Sequence, residues 1–246
     1  MSFDGQRVVI IGASAGIGEA AAKTFAARGA AVTITGRSKE RLDRAAERIG
    51  RPVLVAELDA TSRGALDAFF ATTGTIDHLV LSASPGAVGV GPIAAVDEAA
   101  LRQAFDGKFF VHVKAIQAAL PQLRRDGSVT MVTAASARSA FPGTAGIAAA
   151  NGALETMVAP LAVELAPLRV NAVSPGVIDT HWWNAMPEDQ RRAYFDSVAA
   201  ASPVRRVGKP ADVAAAIVYL ASASFVTGTV LECTGGSNLT AAALAS

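Results

Sequence analysis

Residues 8–30 read VVIIGASAGIGEAAAKTFAARGA: an apolar run, a glycine-rich turn, then an Ala-rich stretch with helical patterning. Within the turn, Gly12, Gly16 and Gly18 form G-x-x-x-G-x-G. Gly12 permits a sharp exit from the strand, and Gly16 lets backbone approach a pyrophosphate closely. Gly18 lets the helix pack tightly, with its N-terminal N–H groups aimed at the phosphate. Three glycines alone would be only a tight turn. Their place between a first strand and an amphipathic helix makes them a dinucleotide-binding signal. Ser14 and Ile17 lie within the same turn and are counted with it as cofactor contacts.

Outward from this unit, short β-rich runs alternate with helical runs. Strands are expected near 7–11, 31–35, 53–57, 78–82, 128–132, 169–173 and 229–232. Most are nearly continuous apolar runs, as expected of parallel strands covered on both faces. Helices are expected near 16–28, 39–49, 61–72, 97–123, 144–166 and 210–222. That alternation implies an α/β fold, a parallel sheet with right-handed crossovers. No repeat or low-complexity linker divides the chain, so a single domain over 1–246 is expected, with a lid or substrate loop at about 178–209. Pro160 falls inside the helix expected at 144–166 and should kink it.

Of the 246 residues, 51% are hydrophobic and 17% charged, enough to bury a sizeable core. The net charge of +1 with no block of like charge argues against nucleic acid or an anionic membrane as partner. The apolar runs are broken by Gly, Pro or charge, so no membrane span is expected. Asp4 and a short first strand do not suit a signal peptide. The one cysteine, Cys233, reads as a small buried apolar residue rather than a nucleophile. A cytoplasmic globular protein is the expectation.

The second strand ends in TITGRSKERL, residues 33–42. An acid there would bind the adenosine ribose hydroxyls of NAD(H) and repel a 2′-phosphate. Arg37 and Ser38 instead offer a guanidinium and a hydroxyl, which favours NADP(H) over NAD(H). The alternative is that Arg37 is a solvated surface residue. Asp59, in ELDAT after the third strand, either hydrogen-bonds adenine or caps the following helix.

The glycine pattern, the Arg37 site, LRVNAVSPGVIDT at 168–180 and FVTGTVLECTGG at 225–236 together resemble the short-chain dehydrogenase/reductase family. The resemblance runs from about Val8 to Gly236. It implies a Rossmann-like doubly wound sheet of seven parallel strands in the order 3-2-1-4-5-6-7, flanked by helices. It also implies a homodimer or homotetramer acting on a small-molecule carbonyl or alcohol. Pro175 and Gly176 would pack near the nicotinamide, with Ile178 backbone and the Thr180 hydroxyl on its carboxamide. Ala83 would be a further cofactor contact after the fourth strand.

The same resemblance marks a departure. The family's proton-donating tyrosine is replaced by Ile147, its lysine one turn later by Asn151, and its serine by Ala134. Lys108 stands where the family has a relay asparagine, and Leu81, Ser82, Ala83 and Ser84 where it has Asn-Asn-Ala-Gly. The chain has two tyrosines: Tyr219, read as structural, and Tyr194, placed in the lid. Losing a positioned general acid forfeits about 10²–10⁴-fold in rate, although cofactor and pocket still orient reactants. Asn and Lys read as having exchanged places. Lys108, with apolar residues at helical spacing, either reaches Asn151 and the ribose as a stand-in acid or snorkels to water. Ser136 and Arg138 are candidate pocket residues, Arg138 for an anionic group. His181, Trp182 and Trp183 either wall the pocket or, for the tryptophans, anchor the lid. His78 and His112 lack metal-ligand spacing, and no metal site is expected. Two functions stay open: an NADP(H)-dependent oxidoreductase with a non-standard proton donor, or an inactive dinucleotide-binding sensor, scaffold or partner subunit.

Overall fold

The computed structural model describes residues 2–240. Seven strands form one sheet: β1 Arg7–Ile11, β2 Ala31–Gly36, β3 Leu54–Glu57, β4 Ile76–Leu81, β5 Leu123–Val132, β6 Arg169–Pro175 and β7 Val230–Cys233. Their order is β3-β2-β1-β4-β5-β6-β7 and every pairing is parallel. The helices are α1 Gly16–Ala27, α2 Lys39–Ile49, α3 Arg63–Thr73, α4 Glu98–Ala104, α5 Phe110–Ala119, α6 Ala145–Glu164, α7 Glu188–Ala201, α8 Pro210–Ser222 and the short α9 Ser237–Thr240. This is the Rossmann-like order that the resemblance implied, built on the parallel sheet expected from the alternation of strands and helices.

The period-2 alternation of the strands divides the core into two layers. Val8 and Ile10 meet Phe25 of α1, Leu42 of α2 and Ile217 of α8. Val9 and Ile11 meet Phe70 of α3, Ala115 of α5 and Leu154 of α6. Each fully buried large apolar side chain contributes roughly 1.5–3 kcal/mol, so both helical layers are held by the same strands. Strand order reverses between β1 and β4, which opens a crevice beyond their carboxyl ends. The site lies there.

Three local expectations are corrected. The helix expected at 97–123 is instead α4, a π-helical turn at Phe105–Phe109, and α5. A π-helical turn inserts one residue into an otherwise helical run, and a reading on a single helical period does not resolve so short an insertion. Second, β5 begins at Leu123 rather than 128. Its polar start hides the strand, yet Arg124 pairs with Asp77 and Asp126 there. Third, 178–209 is not irregular: it holds a turn at His181–Trp183 and the whole of α7. No α7 residue is fully buried, so no apolar stripe announces the helix. The base of this segment is closed where Asp179 N–H donates to Gly208 O at 2.9 Å and Gly208 N–H to Val177 O at 3.0 Å.

Helix α6 runs continuously through Pro160, which lies exposed. It is long and apolar enough to cross a membrane, with mean hydropathy 1.3 in its most apolar window. Its apolar side chains Leu154, Val158 and Ala162 pack on the sheet, which accounts for that composition.

Candidate active site

The glycine turn is built by close approaches. Gly12 has φ +88°, and a Cβ there would lie 2.6 Å from Ala83 N. A Cβ on Gly18 would lie 2.3 Å from Gly12 O, so only glycine lets α1 start against the strand exit. Gly16 (φ +62°) faces Thr180, whose Cγ2 would be 3.5 Å from an added Cβ. The glycine turn and Thr180 are therefore brought together. Ile17 packs its side chain on the core, leaving its backbone N–H in the helix's first turn. Ser14 O accepts from Arg48 Nη2 at 3.3 Å.

The start of α1 carries no side-chain cap, as is also true of α6 and α7. Ser38, Ser62 and Asp97 cap α2, α3 and α4 with their side chains, whereas Ala15 at the head of α1 offers no side-chain cap. Its first-turn N–H groups thus have no side-chain acceptor, which suits an anionic ligand. Arg37 is exposed and makes neither a hydrogen bond nor an ion pair among the described residues. Ser38 accepts from Arg41 N–H at 3.3 Å. Asp59 does not cap α3, a role taken by Ser62. Its carboxylate instead accepts the Thr61 N–H at 3.0 Å and hydroxyl at 2.7 Å. The Thr61 bonds, with a smaller contribution from the charge of Arg37, hold its pKa below the usual carboxylate range. These features form a cradle that fits a dinucleotide phosphate chain.

At the corner, Pro175 is buried and Gly176 N–H donates to Cys233 O at 3.1 Å. Burial raises the pKa of the Cys233 thiol, consistent with an unreactive packing residue. Ile178 is 6% exposed, and its carbonyl accepts the Trp183 indole N–H at 2.9 Å. Thr180 Oγ1 accepts Trp182 N–H at 3.3 Å. Trp183 also packs edge-on against Trp182 at 4.5 Å and near Tyr194 at 5.1 Å and Phe195 at 5.8 Å. Trp183 thus ties the 181–183 turn to Ile178 and to α7. Trp182 is half-buried and His181 exposed. Tyr194 is engaged with Trp183, and burial raises its pKa.

Between β5 and α6 the site is more closely knit. Lys108, in the π-helical turn, is 7% exposed and its Nζ donates to Val132 O at 2.7 Å. It does not bond Asn151, nor does it reach water by snorkelling. With no carboxylate partner, burial pulls the ammonium pKa down to about 8. Asn151 Nδ2 donates back to Ile147 O at 2.9 Å and to Ser136 Oγ at 3.3 Å, while its Oδ1 is buried without a partner. Ile147 and Ala134 are half-buried. His112 Nε2 lies 3.2 Å from Ala83 O, so the proton sits on Nε2, and Nδ1 is buried and bare. Burial and the Lys108 charge push the His112 pKa well down.

A further expectation fails here. Arg138 is not free to receive an anionic substrate, because its Nε bonds Glu155 and its Nη1 bonds Glu232, each at 2.9 Å. Neither carboxylate was picked out by its sequence motif. Glu155 was legible only as the residue four beyond Asn151 on the same helix. Among the described residues no group of three His, Cys, Asp or Glu side chains could hold a metal ion.

A family model described as Enoyl-(Acyl carrier protein) reductase matches residues 12–238. A short-chain dehydrogenase/reductase of Stachybotrys chlorohalonatus is 32% identical, with 96% of this chain and 98% of that protein covered. A small-chain dehydrogenase solved in complex with NADPH superposes with a TM-score of 0.82 at 30% identity, covering 96% of this chain and 100% of the other. The MalC reductase/Diels-Alderase of Malbranchea aurantiaca superposes at 0.89 with 28% identity, covering 96% and 98%.

Proposed function

Because this chain belongs to the short-chain dehydrogenase/reductase family, we propose that it is an NADP(H)-dependent oxidoreductase acting on a carbonyl or alcohol, with Lys108 as its proton donor. The observation that carries this reading is the uncapped start of α1 set against Thr180, with Arg37 unpaired beside it. Gly12, Ser14, Gly16, Ile17 and Gly18 would hold the pyrophosphate, and Arg37 with Ser38 the 2′-phosphate, which favours NADP(H) over NAD(H). Asp59 and Ala83 would line the adenosine side, and Pro175, Gly176, Ile178 and Thr180 the nicotinamide side.

When bound, the dinucleotide supplies or accepts hydride at the substrate carbon. The chain must then move a proton at the substrate oxygen. Below pH 8 the Lys108 amine carries that proton, and its burial makes it a better acid than a solvated lysine. Asn151 and Ser136, already bonded to each other, would orient the oxygen. His181 and Trp182 would border the pocket from the lid, with Trp183 as its anchor. Ile147 and Ala134 occupy the positions where the family's tyrosine and serine are expected, so the usual mechanism is absent in this reading.

That same pair favours a second reading: a catalytically inactive sensor, scaffold or partner subunit that only binds the dinucleotide. We also take the protein to be cytoplasmic and homodimeric or homotetrameric. Exposed Val163, Tyr219 and Phe225 provide apolar surface for such an assembly. Titration with NADPH and NADH, then a screen of carbonyls for cofactor oxidation, separates the two readings. Binding with turnover supports the enzyme, binding without turnover the sensor, and binding of neither cofactor defeats both.

A further inference from the structure

The loop at 133–138 joins β5 to the segment before α6 and presents Ser136 to Asn151. Both ends of the loop are tied to one side chain. Thr133 Oγ1 lies 2.8 Å from Glu155 Oε1, and Arg138 Nε lies 2.9 Å from Glu155 Oε2. The Glu155 side chain is 6% exposed, so its carboxylate has exchanged water for these partners. A buried carboxylate without them would be costly, which makes the pairing mutual: the loop neutralises the charge and the charge fixes the loop.

Two further contacts set the orientation of this clasp. Thr133 Oγ1 also lies 3.2 Å from Val173 O, but the shorter, charge-assisted approach to Glu155 takes the single hydroxyl proton. Arg138 Nη1 reaches Glu232 of β7, whose other oxygen accepts from Asn238 Nδ2. The guanidinium is thereby held between two carboxylates. Within the loop, Ala137 N–H donates to Ala134 O at 3.0 Å and Ser139 Oγ to Ala135 O at 2.8 Å, so the closed turn moves as a unit with its ends.

We propose that Glu155 is a positioning residue: its carboxylate clasps both ends of the 133–138 loop and so holds Ser136 against Asn151. Asn151 and Glu155 stand one helical turn apart on α6, so the helix face that carries the candidate oxygen-orienting amide also carries the group that fixes its partner loop. A consequence is that the Arg138 guanidinium serves the clasp, bonded to Glu155 and Glu232. The proposal rests on reading Ser136 and Asn151 as the pair that orients the substrate oxygen.

Amide hydrogen exchange tests the clasp without cofactor or substrate. In Glu155→Ala, exchange across 133–139 should rise about 10-fold or more, the scale of losing charge-assisted hydrogen bonds, while the β5 core amides at 129–132 stay protected. Glu155→Gln, which still accepts from Thr133 but loses the ion pair with Arg138, should lie between wild type and Glu155→Ala, and it decides the matter alone if the alanine variant does not fold. Unchanged exchange at 133–139, or a rise spread equally through β5 and α6, would overturn the proposal. With a turned-over carbonyl, kcat should fall about 10-fold while KM moves little, since the lost term is orientation rather than binding. A wild type that never turns over would defeat the enzyme reading and leave the exchange result to judge the clasp.

Discussion

The two sides of the crevice are finished differently. On the β1–α1–β2 side, donors are left over: the start of α1 has no side-chain cap, a feature it shares with α6, and Arg37 makes no hydrogen bond or ion pair among the described residues. On the β5–α6 side, polar groups consume one another, with Lys108 on Val132 O, Asn151 on Ser136 and Ile147, and Arg138 between two carboxylates. Unsatisfied donors at a helix start await an anion, whereas interlocked polar groups fix a shape. In the proposed reading, the first side binds the dinucleotide and the second holds a geometry around one buried amine.

The hardest blow to the binding side is steric. Gly18→Val should fail to fold or lose dinucleotide binding altogether, because a Cβ meets Gly12 O at 2.3 Å and overpacking against backbone costs about 1–3 kcal/mol or more. Thermal melting and NADPH titration would show both. On the other side, Lys108→Met should keep NADPH binding yet lose about 10²–10⁴-fold in turnover. Its stability also carries a pH signature. The Lys108 pKa is lowered by burial from 10.5 to about 8, so between those values the unfolded chain binds the proton and the folded chain does not. Wild-type stability should therefore gain on the variant as pH rises from 8 to 10.5, by up to about 3 kcal/mol. Denaturant midpoints at pH 7 and 10 would test this, and a pH-independent difference would mean that the amine is not desolvated.

Smaller effects sharpen the contrast further. Arg37→Glu should weaken NADPH about 10–100-fold and leave NADH unchanged or improved, the scale of one charge-assisted hydrogen bond. Equal loss for both cofactors would return Arg37 to the role of a solvated surface residue. Ser38→Ala and Ser62→Ala each remove a helix cap, so each should cost about 1 kcal/mol of stability. Of the two, Ser38→Ala alone should also reduce NADPH affinity. If the pair behaves identically in the titration, Ser38 is a cap and nothing more.

The binding side was also the more legible in the sequence. Gly12, Gly16 and Gly18 announce themselves because the required conformations and close approaches exclude other residues. Continuous apolar runs such as VVII mark parallel strands for a similar reason: both faces are covered. On the other side, the informative features depend on partners distant in the chain. The π-helical turn at Lys108 is a one-residue insertion within a helical run, and α7 buries no residue fully. Arg138 looked like an open anion site because Glu232, its second partner, lies 94 residues away. Blandness at Ile147 and Ala134 was visible at once, but that Lys108 sits on Val132 O was not.

The most direct test is one titration followed by one assay, on wild type and Lys108→Met. Both should bind NADPH with similar affinity, and wild type should oxidise it with a carbonyl substrate while the variant is slower by about 10²-fold or more. Equal rates in the two proteins, or no NADPH binding by wild type, would contradict the proposed reading.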